Sequence, residues 1–451
     1  MTRNLTVGNP VLLIVGFTIP LLIGNLFQQF YNMADAFIVG RTIGVRALAA
    51  VGCTGSIMFF LLGFMWGFTQ GTSIIASQRF GAGDYPGVRR SFAVSIVLGV
   101  LIALVLTAAG IIFARPLLLL LHTPEDILDD AYRYLIVIFQ GIAAAVLFNL
   151  VSNIMRAVGD SHTPLVFLVI ACLINIILDY LFILVFRTGV EGAAYATVIA
   201  QLLSGLLCIP VIMKKLPILR ITREDWRFTW SDVSQHLRMA FPMGFQMSII
   251  AIGAIVLQFT LNGLGTMAVA ACTAAQKIDM VATMPLNSFG LTMTTYVAQN
   301  YGARRVDRIR QGLIRCLIIS GGLSILAGIV FFFIGHTLAA LFIPGDSEAV
   351  SLAHVFLQIN GACYLILSIL LICRQSLQGL GNSLVPTIAG VMELVMRSFA
   401  AVILSRYFGF TGVCFANPLA WLGATVPLVI AVALTMKRLS RMAIAERRLP
   451  G

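Results

Sequence analysis

The stretch SFAVSIVLGVLIALVLTAAGIIFARPLLLLL, from Ser91 to Leu121, contains a single charged side chain, Arg115. A second stretch, from Cys316 to Phe342, contains no Asp, Glu, Lys or Arg. Each stretch is longer than the roughly 20 residues with which an α-helix crosses the hydrocarbon core of a bilayer. Strands exposed to hydrocarbon would leave backbone groups unpaired, so both stretches are predicted to be transmembrane helices.

The composition of the whole chain shows the same bias. Of its 451 residues, 59% are hydrophobic and 11% are charged, and the mean hydropathy is +0.97. A soluble domain of this size needs more charge to cover its surface. The pattern predicts an all-α membrane protein with about twelve spans, each longer than a bilayer core requires. The predicted spans are 11–40, 50–77, 91–121, 130–158, 163–186, 190–213, 237–262, 274–299, 312–341, 350–379, 384–407 and 411–436.

The first span, 11–40, is expected to be retained, because no strongly basic region or small-residue cleavage site marks it as a signal peptide. The net charge is +12, and most of the 30 Lys and Arg residues fall beside loops on the side of the N-terminus. Those on the opposite side are Arg41, Arg46, Arg115, Arg133, Arg187, Lys277 and Arg406. This positive-inside bias predicts a bacterial inner-membrane protein with both termini in the cytoplasm. Topology explains the basic charge, so nucleic acid is not a predicted partner.

The two halves of the chain resemble each other at a constant offset of about 220 residues, which indicates an internal duplication. The matches are Pro20 with Pro242, Gln78 and Gly81 with Gln299 and Gly302, Pro124 and Asp126 with Pro344 and Asp346, Gln140-Gly141 with Asn360-Gly361, and AVGDSHTP (157–164) with GLGNSLVP (379–386). We therefore predict an N-lobe at 1–213, a cytoplasmic linker at 214–236 and a C-lobe at 237–451. Six helices per lobe put both lobes in the same orientation, with a substrate cavity between them near the membrane midplane.

Acidic side chains deep inside the predicted spans need a reason to be there, because each costs at least about 2.5–3.5 kcal/mol on insertion scales. Three such acids are predicted, namely Asp35, Asp179 and Glu393. From the helical rise, Asp35 lies about 8 Å and Asp179 about 12 Å from the outer ends of their helices. Thr197 lies at a similar depth, and Asn175 is one helical turn from Asp179.

Two carboxylates, an amide and a hydroxyl form an oxygen-rich cluster. Such a cluster suits a hard cation such as Na⁺, and paired carboxylates can also share a proton. The alternative is that these polar groups only hydrogen-bond neighbouring helices. The residues themselves do not choose between Na⁺ and a proton.

Three segments resemble the multidrug and toxic compound extrusion (MATE) family. They are FQQFYNMADAFIVGRTIG (27–44), MRAVGDSHTPLVFLVIACLINIILDYLFI (155–183) and EGAAYATVIAQ (191–201). The resemblance covers essentially the whole chain. It implies a V-shaped pair of six-helix lobes that exports cationic or amphipathic organic compounds, driven by inward flow of Na⁺ or protons. It also implies that Asp35, Asn175, Asp179 and Thr197 form the cation-coupling site of the N-lobe, with possible Na⁺ ligation there.

The C-lobe departs from one branch of that family, which carries acids in helices 7 and 10. This sequence instead offers Gln246, Arg374, Gln375, Glu393 and Arg397 as substrate-cavity residues or as a polar network of the C-lobe. Glu393 and Arg397 have the spacing of a helical ion pair. We favour a structural role for this pair over a substrate or proton role.

Other functions fit the sequence less well. A lipid-linked saccharide flippase of related two-lobed architecture is the alternative, but it would need a strongly basic cavity, and only Arg374 and Arg397 lie inside the spans. An enzyme is not predicted. A membrane-embedded enzyme such as a prenyl transferase would usually need clustered Asp ligands for a magnesium-diphosphate, but the acidic cluster from Glu125 to Asp130 lies at an outer loop. No phosphate loop or metal-ligand spacing of His is present, so no cofactor is expected besides the coupling ion. The expected partners are small organic cations or amphipathic drugs and the lipid bilayer, and the expected oligomeric state is a monomer.

Overall fold

The computed structural model describes residues 4–343 and 346–448, and this part of the chain is helical with no strand. Pro344, which was matched to Pro124 in the repeat, lies outside the described residues. The helices are α1 (Pro10–Thr42), α2 (Val45–Gly81), α3 (Tyr85–Leu120), α4 (Glu125–Gln140), α5 (Ile142–Ala157), α6 (His162–Asp179), α7 (Val190–Lys215), α8 (Trp230–Gly263), α9 (Thr266–Gly302), α10 (Val306–Phe342), α11 (Ser347–Ala362), α12 (Tyr364–Gly379), α13 (Leu384–Phe399), α14 (Ser405–Cys414) and α15 (Ala416–Arg448). Single π-helical segments, Tyr180–Val185 and Ala400–Leu404, extend α6 and join α13 to α14.

The helices have the length and polarity of a multi-pass membrane protein. Within the described ranges, nine spans are long and apolar enough to cross a membrane, and the pairs α4–α5 and α11–α12 raise the number to eleven. The twelfth predicted span, 274–299, lies in α9. This helix has 37 residues and carries two charged side chains, Lys277 and Asp279. Large apolar side chains such as Phe259 and Phe333 are more than 70% exposed, as a lipid-facing wall requires.

Several helices begin or end beyond the predicted spans. For example, α3 begins at Tyr85 rather than residue 91, and α8 begins at Trp230 rather than residue 237. The apolar stretch marks only the part of a helix that meets hydrocarbon, whereas the hydrogen-bonded backbone continues into the polar region until a capping residue ends it. Asp84 is such a residue, since its side chain accepts a hydrogen bond from the Gly87 N–H at 2.9 Å.

Two of the predicted spans are broken. The span 130–158 bends by 48° at Gly141, and the span 350–379 bends by 51° at Cys363. The first bend lies at Gly141 itself, and the second lies two residues after Gly361, which the sequence matched to Gly141. At Gly141 a Cβ atom would overlap the Val198 side chain, so close helix packing explains the glycine.

The backbone repeats the duplication seen in the sequence. Glycines with a left-handed φ occupy matching loops in the two halves. The matched pairs are Gly44 (φ 118°) with Gly265 (φ 96°), Gly159 (φ 85°) with Gly381 (φ 86°), and Gly189 (φ 68°) with Gly409 (φ 55°). Residues with a side chain rarely adopt this conformation, which explains the glycine at both members of these three pairs. The loop after α2 differs, because Gly83 (φ 75°) is matched by Arg304 (φ 55°).

By its contacts the chain divides into two compact units. The first unit contains Ile19–Ser248, and the second contains Leu5–Thr18 together with the described chain from Ile249 onward. Within the second unit, the Arg308 guanidinium donates to the Gly8 carbonyl at 2.9 Å, and the Leu5 N–H donates to Gln299 Oε1 at 3.0 Å. The division into an N-lobe that ends at 213, a linker, and a C-lobe that begins at 237 remains a prediction from the repeat.

Within the first unit, the segment between α7 and α8 and the first turn of α8 are bound to α2 and α3 by two ion pairs. Arg79 lies 2.6 Å from Asp232, and Arg89 lies 3.1 Å from Asp225. Burial by itself would raise the pKa of Asp225. Hydrogen bonds from the Thr222 N–H and hydroxyl and from Arg89 outweigh that effect and lower the pKa of this carboxyl. The segment is therefore held to the end of α2 and the start of α3 by charge-assisted bonds.

Candidate functional site: a carboxylate pocket in the first unit

One face of α1 is polar although the helix lies in an apolar region. Gln28, Tyr31, Asn32 and Asp35 have the i, i+3, i+4, i+7 spacing that places side chains on one helical face. All four line a cavity of about 260 Å³ within the first unit. The cavity thus explains why α1 carries a polar stripe.

The predicted residues Asn175, Asp179 and Thr197 are joined by hydrogen bonds. Asn175 and Asp179 are completely buried on α6. In the amide orientation that satisfies both neighbours, Asn175 donates to Asp179 Oδ2 at 3.0 Å and accepts from the Thr197 N–H at 3.2 Å. The Tyr31 hydroxyl donates to Thr197 Oγ1 at 2.9 Å. The structure therefore joins three of the four predicted residues, from α6 and α7, in one network that Tyr31 connects to α1, and Asp35 lies one helical turn after Tyr31.

Two carboxylate oxygens in this network are left without a partner. Among the described residues, Asp35 Oδ1 and Asp179 Oδ1 are buried and accept no hydrogen bond. The two carboxyl groups are close enough for their charges to interact. Buried polar atoms are rarely unsatisfied unless the site serves a function or holds a small ligand. A proton or a cation between the two groups would satisfy both oxygens.

The helix changes its geometry directly after Asp179. The next six residues, Tyr180–Val185, form a π-helical segment. Such segments are frequent at functional sites, because they shift the register of the side chains that follow. The change from α-helix to π-helix therefore occurs directly after the buried acid that ends α6.

The second unit holds a different kind of acidic site. Glu393 Oε2 lies 2.6 Å from Arg374, and Glu393 Oε1 lies 2.9 Å from Arg397. All three side chains are buried. The expected pair of Glu393 with Arg397 is therefore present, and Arg374 joins it. The structural role of this group remains a prediction.

The two predicted glutamines lie in different units. Gln375, in the second unit, accepts a hydrogen bond of 2.5 Å from the Thr294 hydroxyl. Gln246 is buried in α8 and belongs to the first unit. Within the second unit, Gln375 follows Arg374 on α12, so that helix contributes both residues to the predicted C-lobe set.

Comparison with known proteins establishes the family. The family model described as MatE matches residues 20–181 and again residues 242–403. The chain belongs to the MATE family. Because one model matches twice, the predicted duplication is confirmed.

Curated MATE relatives are similar over most of their length. The chain is 28% identical over 412 residues to the probable multidrug resistance protein YpnP of Bacillus subtilis, covering 91% of this chain and 92% of the relative. It is 25% identical to the FAD transporter of Shewanella oneidensis, covering 90% of each chain. Relatives with this sequence similarity thus carry names with different substrates.

Solved MATE structures share the fold. A crystal structure of MATE in the bent conformation matches with a TM-score of 0.90 at 23% identity, covering 98% of each chain. An outward-facing MATE transporter of the MOP superfamily also matches at 0.90 and 23% identity, covering 97% of this chain and 98% of the other. These matches confirm the predicted all-α membrane fold of a MATE transporter.

Sequence reasoning missed several polar residues of this MATE chain, among them Gln28 and Asn32 of the cavity. Tyr31 and Tyr134 line the cavity with Asp35, and the position of Tyr31 four residues before Asp35 was an available signal. The expectation that only Asp35, Asp179 and Glu393 lie deep in helices was wrong. Asp279 lies 13 residues inside α9, which begins well before the predicted span at 274.

Proposed function

We propose that this MATE transporter is a secondary active antiporter that exports cationic or amphipathic organic compounds in exchange for protons or Na⁺. The support is that Asp35, which lines the cavity of the first unit, and Asp179, whose charge interacts with that of Asp35, each present a buried oxygen that lacks a partner among the described residues. An ion that occupies this place must bind one conformation better than another in order to drive transport. The names of curated relatives support the substrate class, since several are multidrug export or resistance proteins.

The arrangement of the network favours a proton as the coupling ion. The amide oxygen of Asn175 already accepts the Thr197 N–H, and the Thr197 hydroxyl oxygen already accepts from Tyr31. Among the four predicted site residues, only the two carboxylates offer an oxygen that accepts no hydrogen bond from the described residues, whereas a hard cation prefers several oxygen ligands. Na⁺ would require Asn175 and Thr197 to turn their oxygens toward it, while two close carboxylates share a proton without rearrangement.

Efflux from proteoliposomes tests the proposal. A cationic dye substrate is loaded, and a proton gradient and a Na⁺ gradient are imposed separately. We expect the proton gradient to drive efflux, and Asp35→Asn and Asp179→Asn each to abolish it while the protein stays folded. Asp129→Asn, at an exposed acid near the start of α4, is the matched control and should transport like the wild type.

Two outcomes would contradict the proposal. Efflux at the wild-type rate in the Asp35→Asn, Asp179→Asn double variant would move coupling away from this pocket. Efflux that responds to Na⁺ alone would leave the pocket in place but make Na⁺ the coupling ion.

A further inference from the structure

The second unit contains an acid that its arginines do not reach. Asp279 lies inside α9, 13 residues from the first residue of the helix, about 20 Å along its axis. Its side chain is partly exposed. Lys277 is two residues away and is exposed, and residues at that spacing do not face each other on a helix.

A single side chain hydrogen-bonds to Asp279. The Tyr364 hydroxyl donates to Asp279 Oδ1 at 2.5 Å. Tyr364 is fully buried, and its ring packs against Phe331 and Trp421 at centroid distances of 5.7 and 6.2 Å. It is the first residue of α12, directly after the bend at Cys363. The hydroxyl is therefore held in place by a rigid aromatic cluster.

No basic side chain neutralises this acid. Throughout residues 4–343 and 346–448, no Lys or Arg forms an ion pair with Asp279, in contrast to Glu393 with its two arginines. The titratable groups that interact with Asp279 are Tyr364 from α12 and Cys272 from α9 itself. An acid inside a membrane helix without a counter-charge marks a functional site more often than a structural one.

The internal repeat identifies the residue of the first unit that is equivalent to Asp279. Asp279 is as far along its helix from Gly265 as Met58 is from Gly44, so the two residues are equivalent. Met58 lines the cavity that contains Asp35. By the same count from Gly44 and Gly265, the residue equivalent to Asp35 itself is Val256, which is apolar. Asp279 thus lies in the part of the second unit that corresponds to the cavity of the first unit, on the equivalent of α2 and not on the equivalent of α1.

We propose that Asp279 and Tyr364 form a second proton-binding site, located in the second unit. The carboxylate of Asp279 takes up a proton and becomes a neutral carboxylic acid, and it returns the same proton when the site is emptied. The Tyr364 hydroxyl keeps its own proton and orients the carboxyl group. Among the described residues, no group of three or more His, Cys, Asp or Glu side chains that could hold a metal ion is present, whereas a proton needs only the carboxylate of Asp279. The proposal does not depend on the identity of the exported compound.

Tryptophan fluorescence can report on each site separately. Of the four tryptophans, Trp66 lines the cavity of the first unit and Trp421 packs on Tyr364. Purified variants that keep only Trp66 or only Trp421 are titrated with acid and base, with the other tryptophans replaced by phenylalanine. We expect Trp421 fluorescence to follow a one-proton titration that Asp279→Asn abolishes and Asp35→Asn leaves unchanged.

The Tyr364→Phe variant provides an independent check that keeps the packing of the ring. Without the hydroxyl, the ionised carboxylate loses a hydrogen bond, so the midpoint of the Trp421 titration should move to higher pH by about one unit or more. Trp421 fluorescence that does not change with pH, or a titration that persists in Asp279→Asn, would overturn the proposal. The Trp66 titration reports on Asp35, so the two sites can fail independently.

Discussion

At the scale of single residues, the surroundings of a buried carboxylate distinguish its roles. Glu393 is held by two arginines, whereas Asp35 and Asp179 each keep an oxygen that accepts no hydrogen bond. A neutralised carboxylate is held in its charged state and does not respond to an ion. One without a counter-charge can bind a proton or cation, because binding relieves the cost of a buried charge.

Glu393→Gln should therefore impair folding more than coupling. Removing one partner of a buried ion pair leaves the remaining charge uncompensated, and the change typically lowers stability by about 3–5 kcal/mol. We expect a lower folded yield and a lower melting temperature of the purified protein, measured by size-exclusion chromatography after heating. Glu348→Gln, at an exposed acid of α11, is the matched control. Normal yield combined with lost ion-driven efflux would give Glu393 a functional role instead.

At the scale of elements, glycines allow α2 and α8 to approach each other closely within the first unit. Gly63, Gly67 and Gly71 recur every fourth residue on one face of α2, next to the α8 backbone. A Cβ atom at Gly71 would lie 2.6 Å from the Ala240 Cα atom, and one at Gly67 would overlap the Met243 carbonyl. Membrane helices pack through such small residues because backbone contact replaces the missing hydrophobic effect.

The position of each glycine along this face predicts the effect of alanine. Gly71→Ala forces the two backbones apart and should destabilise the protein by about 1–3 kcal/mol. Gly63→Ala is the control, because its Cβ would lie 3.6 Å from the Met247 Cβ, an ordinary contact. Alanine also favours the helix, so Gly63→Ala should be neutral or stabilising. Thermal unfolding of both variants measures the difference, and equal melting temperatures would contradict this account of the packing.

At the scale of the whole molecule, the distribution of charge determines the orientation in the membrane. Basic residues concentrate between α7 and α8 and at the start of α10, whereas few lie at the opposite helix ends. Positively charged loops are retained in the cytoplasm during insertion. The prediction of two cytoplasmic termini follows from this asymmetry together with an even number of spans.

Cysteine labelling in intact cells tests the orientation. Glu348→Cys lies at the start of α11 and Glu224→Cys lies between α7 and α8, and both positions are exposed. A reagent that does not cross the membrane should label Glu348→Cys and leave Glu224→Cys unlabelled. The eight native cysteines are replaced beforehand, since Cys53 and Cys363 are only partly buried. The reverse labelling pattern would place the termini outside the cell.

The sequence by itself determined the membrane helices and the duplication, and it predicted the orientation and the polar residues of the first unit. These features depend on one-dimensional quantities: the length of an apolar stretch, the count of charges at its ends and a repeated spacing. An acidic residue inside an apolar stretch can be recognised from the sequence, because the free-energy cost of inserting it into hydrocarbon follows from the residue type and its depth.

Only the tertiary structure decided which polar groups meet. The bond from Tyr31 to Thr197, the capture of Glu393 by Arg374, and the pairing of Tyr364 with Asp279 each join different helices. Whether two side chains face each other depends on the rotation, bend and depth of both helices, and these are set by packing between helices. No local pattern encodes that geometry, so the sequence showed polar residues at similar depths, and the folded chain determined their partners.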